Sequence, residues 1–296
     1  MTLTGVFAPV PTPFDQNGGL DGGRLRLALE HWAATRLSGF VVLGSTGEAV
    51  LLDEVESDRA VEVARDVVAR DRALIVGAGR ESTRATVRAA RRAAELGADA
   101  VLVRTPGFFK TQMTTAVLVA HYTAVADASP VPILLYNFAA LTGVNLLPAA
   151  VEKLARHANI AGVKESGGDV GQTAEYVACT PEDFRVLAGS ATTFYAALSV
   201  GASGGILALA SVLPDACVRL YELVVEGRHD EARHLQHRLV PLARLLGSTY
   251  GVPGVKAALR AVGVDVGQPR SPLVPLSETA VLELKDALTQ FDGVPA

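Results

Sequence analysis

Short apolar, β-branched runs alternate along the chain with longer amphipathic stretches rich in Ala, Arg and Glu. A hydrophobic period of two gives way to one of 3.6 and back again, which is the pattern of repeated βα units. Strands are expected at Gly5–Pro11, Phe40–Gly44, Leu74–Gly77, Ala100–Thr105, Ile133–Asn137, Ala161–Glu165, Arg185–Gly189 and Gly205–Ala208. Helices are expected between and after them at Arg24–Thr35, Glu54–Arg70, Thr83–Leu96, Thr115–Ala126, Pro148–His157, Val170–Cys179, Thr192–Val200 and Pro214–Glu226. Asp53-x-x-Glu56 has the form of a capping box, and Pro148 and Pro214 suit first-turn positions. Eight such units imply a parallel sheet closed into a (β/α)₈ TIM barrel, the fold class α/β, with an open doubly wound sheet as the alternative.

A chain of 296 residues holds one such barrel with an appendage. The barrel is assigned to residues 1–226. Residues 227–296 are Leu/Ala-rich and helical, broken at Gly247–Gly254 and again over Gly263–Pro275. They form a C-terminal helical extension of the same domain. No linker, low-complexity tract or internal repeat interrupts the pattern.

Net charge is −4, and no basic run or basic–aromatic patch occurs, so nucleic acid is not an expected partner. No apolar run reaches the roughly 18 residues of a membrane span, so no membrane is expected either. The opening MTLTGVFAPVPTPF lacks a basic n-region and carries three prolines, unlike a signal peptide. Two cysteines, Cys179 and Cys217, are too few for a disulfide framework. A reducing, cytoplasmic setting is expected.

In such barrels the reactive side chains project from the C-terminal ends of the strands. Four polar clusters fall there: Gly44-Ser45-Thr46-Gly47-Glu48, Tyr136-Asn137, Lys164-Glu165-Ser166-Gly167-Gly168 and Gly189-Ser190. Lys164 is one of only five lysines among 27 basic residues, and it ends the apolar run Ile160-Ala161-Gly162-Val163. An unpaired ammonium is costly in a barrel lumen, which favours the neutral amine that attacks a ketone. Pairing with Glu165 is the structural alternative, and position alone does not decide between them. Tyr136 either shuttles protons in the lumen or caps the barrel core. Ser45 and Thr46 either present hydroxyls and N–H groups to a carboxylate or form a plain tight turn. The six histidines are scattered; His234 and His237 share a helix face with Arg233 and Arg238, as on a solvated surface. No zinc, thiol-redox or serine-elbow motif is present.

Together, Gly44-Ser45-Thr46-Gly47-Glu48, Tyr136-Asn137 and Gly162-Val163-Lys164-Glu165-Ser166 resemble the dihydrodipicolinate synthase/N-acetylneuraminate lyase superfamily. The resemblance runs from Pro9-Val10-Pro11-Thr12-Pro13-Phe14 to Gly254-Val255-Lys256. It implies a class I lyase in which Lys164 forms a Schiff base with pyruvate or another small 2-oxo acid, with no separate cofactor and no metal. It further implies that Tyr136 shuttles protons and that Ser45 and Thr46 bind the pyruvoyl carboxylate, with Thr46 also in the tyrosine's relay. Gly189, Ser190 and Ile206 would line the pocket, and the assembly would be a homotetramer, a dimer of dimers.

Departures from the pattern discriminate among members. Dihydrodipicolinate synthases carry an arginine where Leu141 stands in Tyr136-Asn137-Phe138-Ala139-Ala140-Leu141-Thr142-Gly143. Losing that bidentate contact would cost about 2–4 kcal/mol of binding to a carboxylate-bearing aldehyde. N-acetylneuraminate lyases place acidic residues after the strand-seven glycine, where this chain has Ser190-Ala191-Thr192-Thr193. Lys164-Glu165-Ser166-Gly167-Gly168-Asp169-Val170, Val186-Leu187-Ala188-Gly189-Ser190-Ala191, Leu235-Gln236-His237-Arg238-Leu239 and Gly251-Val252-Pro253-Gly254-Val255-Lys256 look most like 4-hydroxy-2-oxoglutarate aldolase. Aldolases and dehydratases of 2-keto-3-deoxy sugar acids are close alternatives. Family members also carry two adjacent tyrosines where Phe108 and Phe109 follow Thr105-Pro106-Gly107. Loss of those hydroxyls leaves a second class open, a 2-oxo-acid-binding barrel with weakened turnover.

Overall fold

The computed structural model describes residues 3–291. Its strands are β1 (Gly5–Pro9), β2 (Gly39–Val42), β3 (Ala73–Gly77), β4 (Ala100–Arg104), β5 (Ile133–Asn137), β6 (Ile160–Glu165), β7 (Arg185–Ala188) and β8 (Gly204–Ile206). All neighbours are parallel, and β8 pairs with β1, closing the (β/α)₈ barrel and excluding the open doubly wound sheet.

The helices are α1 (Gly22–Ala33), α2 (Glu54–Val67), α3 (Thr83–Glu95), α4 (Thr115–Ala128), α5 (Ala139–Thr142), α6 (Pro148–Leu154), α7 (Val170–Cys179), α8 (Phe194–Ser199), α9 (Ala208–Val212), α10 (Pro214–Val225), α11 (His229–Arg244), α12 (Gly251–Ala261) and α13 (Glu278–Thr289). The Asp53/Glu56 capping box is formed in both directions at the start of α2. Pro148 and Pro214 occupy first turns. Short helices α5 and α9 lie where the sequence suggested only loop or strand end; each is too brief to display a 3.6-residue period. The break expected at Gly247–Gly254 is a π-helical turn over Leu245–Thr249, after which α12 starts at Gly251.

Most expected strands run one or two residues past the observed C-terminal ends. Leu43 shows why. It has φ of 56°, the left-handed region that a branched side chain rarely adopts. Val41 points into the lumen and Val42 outward; the turn at Leu43 sends its side chain outward as well. The alternation breaks there, and the loop at the C-terminal end of β2 begins.

Two apolar layers result. Phe7, Val41, Ile75, Leu102, Leu134, Leu187 and Ile206 fill the lumen beneath Tyr136. The outer layer packs the strands against the helices, with Trp32 fully buried and its Nε1 donating to the Ser211 carbonyl at 2.8 Å. Among the described residues no helix is long and apolar enough to cross a membrane.

Candidate active site

Strand register brings the chemistry together. Tyr136 of β5 lies beside Lys164 of β6, and Asn137 lies beside Glu165. Side chains alternate along a strand, so one pair faces the lumen and the other the helical layer. Lys164 Nζ sits 4.5 Å from the centroid of the Tyr136 ring. Both residues are buried, and Lys164 has no carboxylate within ion-pair distance among the described residues.

Pairing of Lys164 with Glu165 is therefore overturned. Glu165 accepts instead from Asn137 Nδ2 at 2.6 Å, Gly167 N at 2.5 Å and Gln172 Nε2 at 3.0 Å. Burial pushes its carboxyl above the ordinary value, against the pull of those three donors. Asn137 also donates to Asn145 Oδ1 and accepts from Leu146 N, so this outward pair braces the β5 and β6 ends. Sequence reasoning missed that network, since its partners lie on three separate segments.

The β2 loop supplies the hydroxyls. Ser45 Oγ lies 3.2 Å from Tyr136 Oη. Thr46 makes no hydrogen bond to Tyr136 among the described residues, and Ser45 is the hydroxyl that meets the phenol. Within the loop, Gly47 N and Ala49 N donate to the Gly44 carbonyl and Glu48 N to that of Ser45. The amides of Ser45 and Thr46 have no acceptor among the described residues, and Thr46 is half-buried. The loop thus carries two unengaged N–H groups beside the Ser45 hydroxyl, groups of the kind that hold a small carboxylate.

The loop is anchored from behind. Glu48 takes a left-handed conformation, φ 54°, and its buried carboxylate lies 2.7 Å from Lys256 Nζ of α12. Lys256 also donates to the carbonyls of Thr12 and Gln268, and Arg270 N donates to Glu48. Burial lowers the Lys256 pKa, opposed by the Glu48 carboxylate. Arg270 pairs with Glu56 of the capping box and with the Leu51 carbonyl, so the C-terminal segment grips the β2 loop and α2 together.

The remaining predicted positions are divided. Ile206 is fully buried on the lumen face, in one cluster with Tyr136. Gly189 follows β7 and packs so closely that a methyl there would meet Ser166 Oγ at 1.8 Å. Ser190 bonds to Thr192 Oγ1 at 2.8 Å. Leu141 lies in α5, 64% exposed at the mouth. Phe108 and Phe109 stack edge to face on the β4 loop, both exposed. His234 and His237 are exposed on α11 and take no part in the site. No group of three or more His, Cys, Asp or Glu among the described residues could hold a metal.

An unpaired lysine beside a tyrosine in the lumen of a (β/α)₈ barrel is the arrangement that a class I, Schiff-base-forming lyase requires. The sequence model of the Dihydrodipicolinate synthetase family matches residues 2–291, and the chain belongs to that family. It is 40% identical to a 4-hydroxy-tetrahydrodipicolinate synthase of Exiguobacterium sp., over 99% of each chain. It is 36% identical to a probable mitochondrial 4-hydroxy-2-oxoglutarate aldolase of Emericella nidulans, covering 97% of this chain and 94% of that one. Among solved structures, the dihydrodipicolinate synthase of Acinetobacter baumannii complexed with pyruvate superposes with a TM-score of 0.94 at 30% identity, over 99% of this chain and all of that one.

Proposed function

We propose that this lyase cleaves, and in reverse forms, a 4-hydroxy-2-oxo acid of the 4-hydroxy-2-oxoglutarate type through a pyruvate enamine on Lys164. The observation that carries the reading is the lumen pair, an unpaired Lys164 amine against Tyr136, whose phenol meets Ser45. The amine adds to the keto carbon, and loss of water from the carbinolamine leaves an iminium. Tyr136 takes the proton of the 4-hydroxyl as the C3–C4 bond breaks. That bond's electrons pass into the iminium, giving an enamine and releasing an aldehyde. Protonation of the enamine carbon and hydrolysis return pyruvate and the free lysine. Ser45 and Thr46 hold the pyruvoyl carboxylate, while Gly189, Ser190 and Ile206 shape the wall around it.

Leu141 argues against a substrate held by arginine at that mouth. A cation nevertheless lies close by. A methyl built on Gly143 would come within 2.9 Å of Lys110 Cδ and 3.7 Å of its Nζ, so glycine there lets the lysine stem lie over the α5 turn. Lys110 is exposed and has no carboxylate partner among the described residues. It supplies the charge that a distal carboxylate needs, on the loop beside Leu141. The names of several relatives favour a second reading, 4-hydroxy-tetrahydrodipicolinate synthesis; aldolases and dehydratases of 2-keto-3-deoxy sugar acids are a third. The exposed Phe108 and Phe109 support assembly into the family's homotetramer, and the free Cys179 and Cys217 suit a reducing cytoplasm.

Borohydride trapping with pyruvate, followed by peptide mapping, tests the chemistry. A pyruvate-sized adduct on Lys164 is expected, and its absence in folded protein overturns the Schiff-base assignment. Turnover of 4-hydroxy-2-oxoglutarate against aspartate semialdehyde plus pyruvate then separates the first two substrates.

A further inference from the structure

The end of the barrel opposite Lys164 carries a pocket of about 410 Å³ that the lyase chemistry does not use. It opens where β1 to β4 begin, lined by Thr4, Ser38 and Asp99 and by Arg70, Asp71 and Arg72 of the turn between α2 and β3. Ala73, which also lines it, belongs to the apolar cluster that fills the lumen. The pocket therefore lies beneath the barrel core.

The acceptors nearby are already engaged. Arg65 donates to the Gly97 carbonyl at 3.1 Å, to the Ala69 carbonyl at 3.2 Å and to that of Val68, and it pairs with Asp99 at 3.0 Å. The same Asp99 oxygen accepts from Leu74 N at 2.8 Å. Arg70 and Arg72 are left over, since neither guanidinium makes a hydrogen bond or ion pair among the described residues. Arg72 Nη1 is shut off from solvent without a partner among those residues, and Arg70 is exposed. Asp71 is exposed and pairs with neither. Arg65 and Arg70 both lie over Gly97, where a methyl would meet Arg65 Cδ at 2.8 Å and Arg70 Nη2 at 3.6 Å. Guanidinium groups gathered in this way, one with a desolvated and unused donor, favour an oxyanion beside them.

Hydroxyls stand on the same wall. Thr4 and Ser38 make no side-chain hydrogen bond among the described residues. Ser38 Oγ lies 2.3 Å from where a methyl on Gly5 would stand, so glycine at the start of β1 leaves that hydroxyl its place.

We propose that this pocket binds a phosphate group, free or as the head of a small phosphoester, through Arg72 and Arg70 with the Ser38 and Thr4 hydroxyls. Donors from three separate segments suit tetrahedral oxygens, whereas a planar carboxylate is satisfied by one guanidinium fork. Phe7, Val41, Ile75 and Leu187 lie between the pocket and Tyr136, so the bound group stabilises the fold and leaves pyruvate binding unchanged. Inorganic phosphate and glycerol 3-phosphate are the probes, titrated calorimetrically into the full chain with saturating pyruvate and with ionic strength held constant by chloride. Saturable binding of at least one is expected, weakened at least tenfold in Arg72→Gln and severalfold in Arg70→Gln, an exposed position where folding is not at stake. Tighter binding of the ester assigns the site to a phosphorylated metabolite, and equal binding assigns it to the phosphate group alone. The bound probe, at about ten times its dissociation constant, should raise the melting temperature of the parent by about 3 °C and leave that of Arg72→Gln unmoved. Saturable binding of neither probe, or binding by both variants as tight as the parent's, overturns the site. The pyruvate concentration that half-saturates borohydride trapping should not respond to the probe; a shift in the parent that Arg70→Gln abolishes overturns the separation from the lumen.

Discussion

Lys164 and Glu165 are neighbours in sequence and opposites in role, because a strand sends successive side chains to opposite faces. Lys164→Ala should leave the melting temperature nearly unchanged and abolish both trapping and turnover; appreciable residual activity would count against the covalent route. Tyr136→Phe should slow turnover by about 10²–10⁴, the usual worth of general acid–base catalysis, and an effect under threefold would place the proton shuttle elsewhere. Lys110→Gln should raise KM for 4-hydroxy-2-oxoglutarate by about tenfold while leaving a 4-hydroxy-2-oxo acid without a distal carboxylate unaffected, as expected for one charge-assisted contact. Equal effects on both substrates would remove Lys110 from recognition. Lys164, Tyr136 and Ser45 were legible because each ends a strand or opens the loop after one. Lys110 was not, since only the fold lays its stem across Gly143.

At the scale of elements, the β2 loop is held by residues far away in the chain. Glu48 and Lys256 form an ion pair whose side chains are both 1% exposed. Lys256→Met leaves the Glu48 carboxylate buried and unpaired, which costs about 3–5 kcal/mol of stability in urea unfolding. The double variant Glu48→Leu/Lys256→Met should recover a large part of that loss, because breaking a buried pair costs more than replacing it. No recovery would mean that Lys256 acts through its bonds to the Thr12 and Gln268 carbonyls. The motif around Glu48 was visible in sequence, but its partner 208 residues later was not.

The whole molecule joins barrel and C-terminal helices through Arg270, which holds Glu56 at the start of α2. The guanidinium and the capping amide hold Glu56 below its ordinary 4.5. A depressed carboxyl pKa stabilises the fold above the ordinary value, and that stabilisation is lost as pH falls through the folded value. The stability gap between the parent and Glu56→Gln should therefore be full at neutral pH and close below about pH 4. A gap that persists undiminished in acid would assign the Glu56 contribution to packing. Glu165 works in the opposite sense, its raised pKa favouring the fold at lower pH. Hydrophobic period, strand-end polarity and cap chemistry are local properties, so the sequence alone determined the eight βα units, the barrel they close and the rim on which the chemistry sits. Pairing across strands, the hydroxyl that meets Tyr136, the buried Glu48–Lys256 clasp and the pocket where β1 to β4 begin depend on registers and distances between remote segments. Those are set only when the barrel closes and every side chain must share its space with neighbours the sequence does not place beside it.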